Sequence, residues 1–189
     1  MTTRWTVVAA FVLAGAVTMG CSHAPLNPGL EPTPPQSRPD VYRSQEHGYS
    51  FIPPASWELG ASGGMIDVIY MRPAAAQPEV FRENLNVAVE KLPQVLTLDE
   101  YAQAAQAMMA LAFREFEVVS LTDIVMGNIQ GKRLVCTYSW GGIELFVQSA
   151  FYIAVKDQKA YVMTCGSTPE NFAAYEKTFD ECARTFRVE

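Results

Sequence analysis

From Leu98 to Ala112 the apolar side chains recur at steps of three and four: Leu98, Tyr101, Ala102, Ala105, Met108, Met109 and Ala112. That spacing predicts a helix with one apolar face. Thr97 and Glu100 stand just before it as an S/T-x-x-E capping box, the pair that satisfies free amides at a helix start. Phe172, Tyr175, Phe179, Cys182 and Phe186 repeat in the same way and predict a second helix from Pro169 to Arg184, with its apolar side on a sheet. Elsewhere the period is two. Met65 to Met71 and Asn84 to Leu92 read as strands, and four more follow: Phe116 to Met126, Lys132 to Trp140, Leu145 to Val155 and Ala160 to Cys165. Gly127, Asn128 and Gly131, then Gly141-Gly142, then Asp157-Gln158 supply turn residues suited to hairpins. Upstream, "HGYSFIPPASWEL" predicts a short strand at Tyr49 and Phe51 that ends at Pro53-Pro54, with Trp57 returning to the core. Strands, helix, strands and helix, with hairpins dominating, give an α+β class: a mainly antiparallel β-sheet covered by helices.

The first 45 residues follow neither period. Residues 1–20 carry one cation at Arg4, an apolar run from Trp5 to Val17 and a terminal small residue, the three-part plan of a secretory signal. The run falls short of the roughly 20 apolar residues that a spanning helix needs. "TMGC", Thr18 to Cys21, resembles the bacterial lipobox, although Thr18 stands where Leu or Val is usual. In that motif the cysteine is joined through sulfur to diacylglycerol and becomes the mature N-terminus, so Cys21 is the expected lipidation site. Two or more acyl chains, at about 0.8 kcal/mol per buried methylene, anchor stably. In a host with two membranes, Ser22 matches sorting to the outer membrane rather than retention by aspartate at the inner one. Residues 21–45 form a Pro-rich tether, with six prolines between Ser22 and Ser44, and residues 46–189 form the single domain.

Charge narrows the partners. The chain has 14 basic and 20 acidic side chains; loss of Arg4 with the leader leaves 13 against 20, a net −7. No basic run exists to neutralise phosphates, which disfavours nucleic acid, and the acyl anchor rather than surface charge must hold the membrane. Cys136, Cys165 and Cys182 remain in a compartment where disulfides persist. Cys165 and Cys182 are separated by some thirteen helical residues, about 20 Å of rise, which argues against pairing. A Cys136–Cys182 bond is open, and free buried thiols are the favoured reading.

"YSFIPPASWE", "NLNVAVEKL" before the "TLDEYAQ" helix, "GKRLVCTYSW" with two long hairpin strands behind it, and a final aromatic helix ending "TFRVE" together resemble the PsbP/DcrB-like fold family. The resemblance spans Glu46 to Glu189 and implies an α/β/α sandwich. It also implies a non-enzymatic accessory role: members are tethered or soluble proteins that help assemble or stabilise membrane complexes. PsbP serves photosystem II, and related domains act as chaperones for secreted effectors. The metal-associated residues of plant PsbP cannot be placed on this sequence, so no site is carried over.

The residues themselves offer little chemistry. His23 lies in the tether and His47 stands alone before the first strand, which leaves no zinc ligand set and no Ser-His-Asp arrangement. Asp99/Glu100, Glu115/Glu117 and Asp180/Glu181 could support a cell-envelope hydrolase of the two-carboxylate kind, the alternative reading. Helix capping, strand-edge alternation and a solvated helix face account for them instead. No catalytic residue, metal ligand or cofactor is therefore assigned. The expected function is that of a lipid-anchored accessory or binding protein of the bacterial cell envelope with an unidentified protein partner. Trp140 and Ile143 flank the Gly141-Gly142 turn and are candidate partner contacts. The competing expectation puts Trp140 in the core, because it shares a strand face with Leu134, Cys136 and Tyr138.

Overall fold

Residues Leu145–Lys156 are apolar on both sides of the strand. Val147, Phe151 and Ile153 enter one core, and Ala150, Tyr152 and Ala154 the other. A strand of that kind is stable only inside a sheet covered on both faces. A computed structural model describes residues 40–77, 79–140 (of Trp140 the backbone only) and 145–189. Its elements are β1 Tyr42–Ser44, β2 Tyr49–Phe51, β3 Glu58–Leu59, β4 Ile66–Met71, β5 Asn84–Lys91, α1 Leu98–Ala112, β6 Arg114–Met126, β7 Ile129–Trp140, β8 Leu145–Lys156, β9 Lys159–Ser167, α2 Pro169–Thr185 and β10 Arg187–Val188. A seven-stranded antiparallel sheet runs β3-β4-β5-β9-β8-β7-β6. A three-stranded sheet, β1-β2-β10, joins the two ends of the described chain. The architecture is the expected α+β one, with α1 on one face of the large sheet and α2 with the small sheet on the other.

Two tight turns hold the meander in register. Gly127, at φ 63°, is the first central residue of the β6–β7 turn, and a Cβ there would come within 1.5 Å of the Phe186 carbonyl oxygen. The β8–β9 turn uses Asp157 and Gln158, both at positive φ (50° and 57°), which matches the twist of a type I′ hairpin. The expected capping box is present at α1: the Glu100 amide donates to Thr97 Oγ1 at 3.2 Å, and the Thr97 amide to Glu100 Oε2 at 2.7 Å. On the α2 face, Tyr49 stacks on Phe186 with centroids 5.1 Å apart.

Two expectations need correction, and the cysteine reading is resolved in favour of the free thiols. The folded region begins inside the expected tether, since Tyr42–Ser44 pair with β2 as β1; Tyr42 packs against Phe51 and Tyr70, which gives the segment an apolar foothold. Met108 and Ala112 are exposed although both lie on the predicted stripe, because the sheet receives only the narrower face made by Tyr101, Ala102, Ala105 and Met109. Cys136 and Cys182 lie in cores on opposite sides of the sheet, so no bond between them can form. Cys165 and Cys182 are not held apart as the helix rise suggested: α2 packs across β8 and β9, and both thiols enter one core, though unbonded.

All three described cysteines are buried and free. Burial pushes the Cys136 and Cys182 thiols up to about 12, and Cys165 well above its ordinary range. At pH 8 a thiol titrating near 12 is ionised on the order of one part in ten thousand, and the thiolate is the nucleophile. The folded protein should therefore react negligibly with an alkylating reagent, whereas mature protein denatured without reductant should label at three side chains. A single labelled site would reveal a disulfide.

The α2 helix is also tied to the sheet by a polar clamp. Arg133 on β7 donates to Asp180 Oδ1 at 3.0 Å and to Glu176 Oε1 at 2.6 Å, and Tyr152 Oη donates to the same Asp180 oxygen at 2.6 Å. Arg133 also lies over the Tyr152 ring, 5.8 Å from its centroid. Arg133→Met should lower stability by about 1–3 kcal/mol, since it strands partly buried acceptors. A melting curve unchanged from the parent protein would show the clamp to be energetically idle.

Candidate functional site

Among the described residues, folding brings most of the titratable side chains that looked isolated in the sequence into contact with structural partners. His47 is not alone. The β1–β2 turn carries its Nε2 to 3.7 Å from Asp67 Oδ1, and Tyr49 Oη donates to the other Asp67 oxygen at 2.5 Å. Asp67 sits at a register shift in β4, which frees its side chain to turn toward the small sheet. Burial, and then the bond to Asp67, push the Tyr49 phenol far above its usual range, so it stays protonated as a donor. Farther along the chain, Arg72 binds Glu79 and Glu83. Glu83 is 2% exposed and also accepts from Ser167 Oγ at 3.3 Å and Asn171 Nδ2 at 3.4 Å, joining the β4–β5 loop to the start of α2.

The three carboxylate pairs weighed from the sequence are divided by the fold. Glu100 caps α1, while Asp99 pairs with Lys132 at 2.7 Å. Lys132 reaches Asp123 of β6 as well, at 2.6 Å, and the bonds to Asp123 and then Asp99 raise its ammonium above the usual range. Asp180 belongs to the Arg133 clamp, and Glu181 lies within 3.8 Å of Lys177 on the solvent side. Glu115, at φ 52°, lies inside the register shift of β6 that runs from Arg114 to Glu117. Among the described residues no group of three His, Cys, Asp or Glu side chains could hold a metal ion.

Ile143 and the side chain of Trp140 lie outside the described residues. Beside them, Phe146 opposite Ser139 is 48% exposed. The larger apolar exposure is on β6, which sequence reasoning treated only as a strand of the meander. This edge strand is the longest among the described residues, and Val118, Val119, Leu121 and Val125 are 45%, 58%, 41% and 58% exposed. Leu121, Asp123 and Val125 stand opposite Leu134, Lys132 and Gln130 on the α1 side, where α1 leaves them uncovered; Ile124 and Met126 point to the other core. Gln130 in turn lines an open groove of about 430 Å³ with Leu98, Ile129 and Val155. The arrangement can receive a polypeptide chain. The available sequence signal was weak: Val118-Val119 breaks the alternation, but nothing local says which strand becomes an edge.

The same layered arrangement occurs in proteins of known structure. Cyanobacterial PsbP (CyanoP) from Synechocystis superposes with a TM-score of 0.60 at 16% identity, over 85% of this chain and 99% of that one. The domain has the PsbP-like fold. LpqN of Mycobacterium tuberculosis, involved in cell envelope biogenesis, matches with a TM-score of 0.58 at 12% identity, over 79% of this chain and 89% of LpqN. The yeast Ran-binding protein Mog1p from Saccharomyces cerevisiae matches with a TM-score of 0.53 at 10% identity, over 79% and 94%. No family model and no curated protein sequence matches this chain.

If the α1 side of β6 is bare, replacing its side chains should cost little. Leu121→Ser and Val125→Ser should each shift stability by about 0.5 kcal/mol or less, as exposed substitutions do. Leu134→Ser on the neighbouring strand, fully buried, should unfold much of the population. A large loss in either β6 variant would mean that the row is covered in solution.

Proposed function

We propose that this protein is a lipid-anchored, non-enzymatic accessory or binding protein of the bacterial cell envelope, one that assists or stabilises a membrane or secreted protein complex. The carrying observation is the uncovered aliphatic edge of β6, in a domain whose neighbouring charges are tied into structural ion pairs. Patches of that kind mark polypeptide contacts. The neighbours named above support the reading, since one is involved in cell envelope biogenesis and another binds Ran.

Attachment rests on the sequence. The lipobox-like "TMGC" makes Cys21 the acylated residue, and the Pro-rich segment behind it, at about 3.1 Å per residue if extended, lets the domain stand several tens of Å from the bilayer. In a host with two membranes, Ser22 places the protein on the outer membrane facing the periplasm. The partner surface is then presented at a distance from the lipid, and the acidic domain is not drawn down onto anionic headgroups.

Cys21→Ala removes the sulfur that carries diacylglycerol and the residue before which the lipoprotein peptidase cuts. The variant should take up no labelled fatty acid and should accumulate as precursor. Labelling equal to that of the parent chain would refute the anchor.

A further inference from the structure

We infer that β6 accepts an eighth strand from its partner: an extended segment alternating aliphatic residues with lysine or arginine, added along Leu121 to Val125. The inference rests on the binding reading above and goes beyond it by naming the surface and the chemistry of what binds there.

The backbone supplies the first argument. Met126 and Ile129 flank a two-residue turn, so they form a hydrogen-bonded pair, and the antiparallel ladder alternates from that point. Ile124 and Thr122 therefore spend their N–H and C=O groups on β7. Leu121, Asp123 and Val125 direct theirs outward, where no further strand stands among the described residues. The side chains supply the second argument. The same three residues face the α1 side, with Leu121 and Val125 41% and 58% exposed, so an added strand would meet free backbone groups and aliphatic side chains together. Beyond Val125 the groove under Leu98 can take the side chain of the next residue.

Charge selects among occupants. The Asp123 side chain is 81% exposed, Glu115 and Glu117 are exposed farther along, and Arg114 is the only cation on the strand. Lys132 divides one ammonium between Asp99 and Asp123, which leaves the edge acidic. A second copy would set this acidic strand against itself, and like charges across a pair are destabilising. The chain's own residues 22–39 carry six prolines, which lack the N–H that a ladder needs. A cationic segment of another protein satisfies both the ladder and the carboxylates.

The test uses the full-length protein in non-ionic detergent and a fluorescent, end-blocked peptide, Lys-Val-Lys-Val-Lys-Val-Lys, followed by anisotropy. Saturable binding is expected. It should weaken roughly fivefold to tenfold for each ladder bond removed, whether by N-methylation of alternate valines in the peptide or by Val125→Pro in the protein. Proline is tolerated at an edge where the N–H faces out, so melting should be retained. If Val125→Pro does not fold, Asp123→Asn reports the charge contribution instead and should weaken binding several-fold. Loss of amide exchange at Leu121, Asp123 and Val125 on adding peptide would place the strand. The inference is overturned by no saturable binding, by equal binding of a Glu-Val peptide, or by indifference to N-methylation. It is also overturned by self-association that Val125→Pro abolishes, which would assign the edge to a second copy. None of these outcomes bears on acylation of Cys21. Capture of a defined envelope partner by Val125→Pro as well as by the parent protein would leave the accessory reading standing while this edge is dismissed.

Discussion

A slip of one residue in the β8–β9 hairpin would exchange the two faces of the central strands, sending Phe151 and Ile153 toward α2 and Tyr152 toward α1. Strands buried on both sides cannot tolerate that exchange when the two cores differ in shape. The turn at Asp157-Gln158 therefore holds two non-glycine residues at positive φ, a conformation that costs of order 1 kcal/mol per residue and persists because burial on both faces over-determines it. From this register the rest follows. Residues of β5 pair with β9 from Asn84 opposite Gly166 to Lys91 opposite Lys159, and Tyr152 arrives where its hydroxyl can meet Asp180 of α2.

The same geometry leaves β6 exposed. One helix of fifteen residues covers the α1 side of the sheet; its buried positions Tyr101, Ala102, Ala105 and Met109 share a core with residues of β7, β8 and β9, and although α1 also touches β6, it leaves Val118, Leu121 and Val125 of that strand exposed. Register shifts near Glu117 and Ser120 bend the first half of β6 and blunt it as a template, while the stretch from Ser120 to Met126 stays regular. Carboxylates on an edge guard against indiscriminate pairing. Here they leave the regular half acidic, so protection from aggregation and choice of partner come from the same side chains.

Likeness at 10–16% identity reflects conserved layering, not conserved chemistry. Folds host many functions, and function resides in particular sites. The arguments for anchoring and for partner binding therefore rest on residues of this chain: Cys21 and the prolines behind it for the first, Leu121, Asp123 and Val125 for the second.

Local patterns were legible without coordinates. The capping box at Thr97 and Glu100, the four-strand meander and the helix through Phe172 and Phe179 were readable because periodicity and turn chemistry act between residues a few positions apart. The α+β class follows from their order, and the lipobox resemblance at Cys21 is itself a local motif. What joins distant positions was not legible. His47 looked solitary until β4 brought Asp67 alongside, Asp180 looked solvated until Arg133 of β7 and Tyr152 of β8 bonded to it, and Cys165 and Cys182 looked separated until the helix lay over its own preceding strand. Met108 carries the helical period yet remains outside, because the width of the buried face depends on the sheet opposite. Edge position is the clearest case. β6 and β7 share apolar and polar residues in similar measure, and only the order in which strands assemble decides which of them ends the sheet with its amides unpaired.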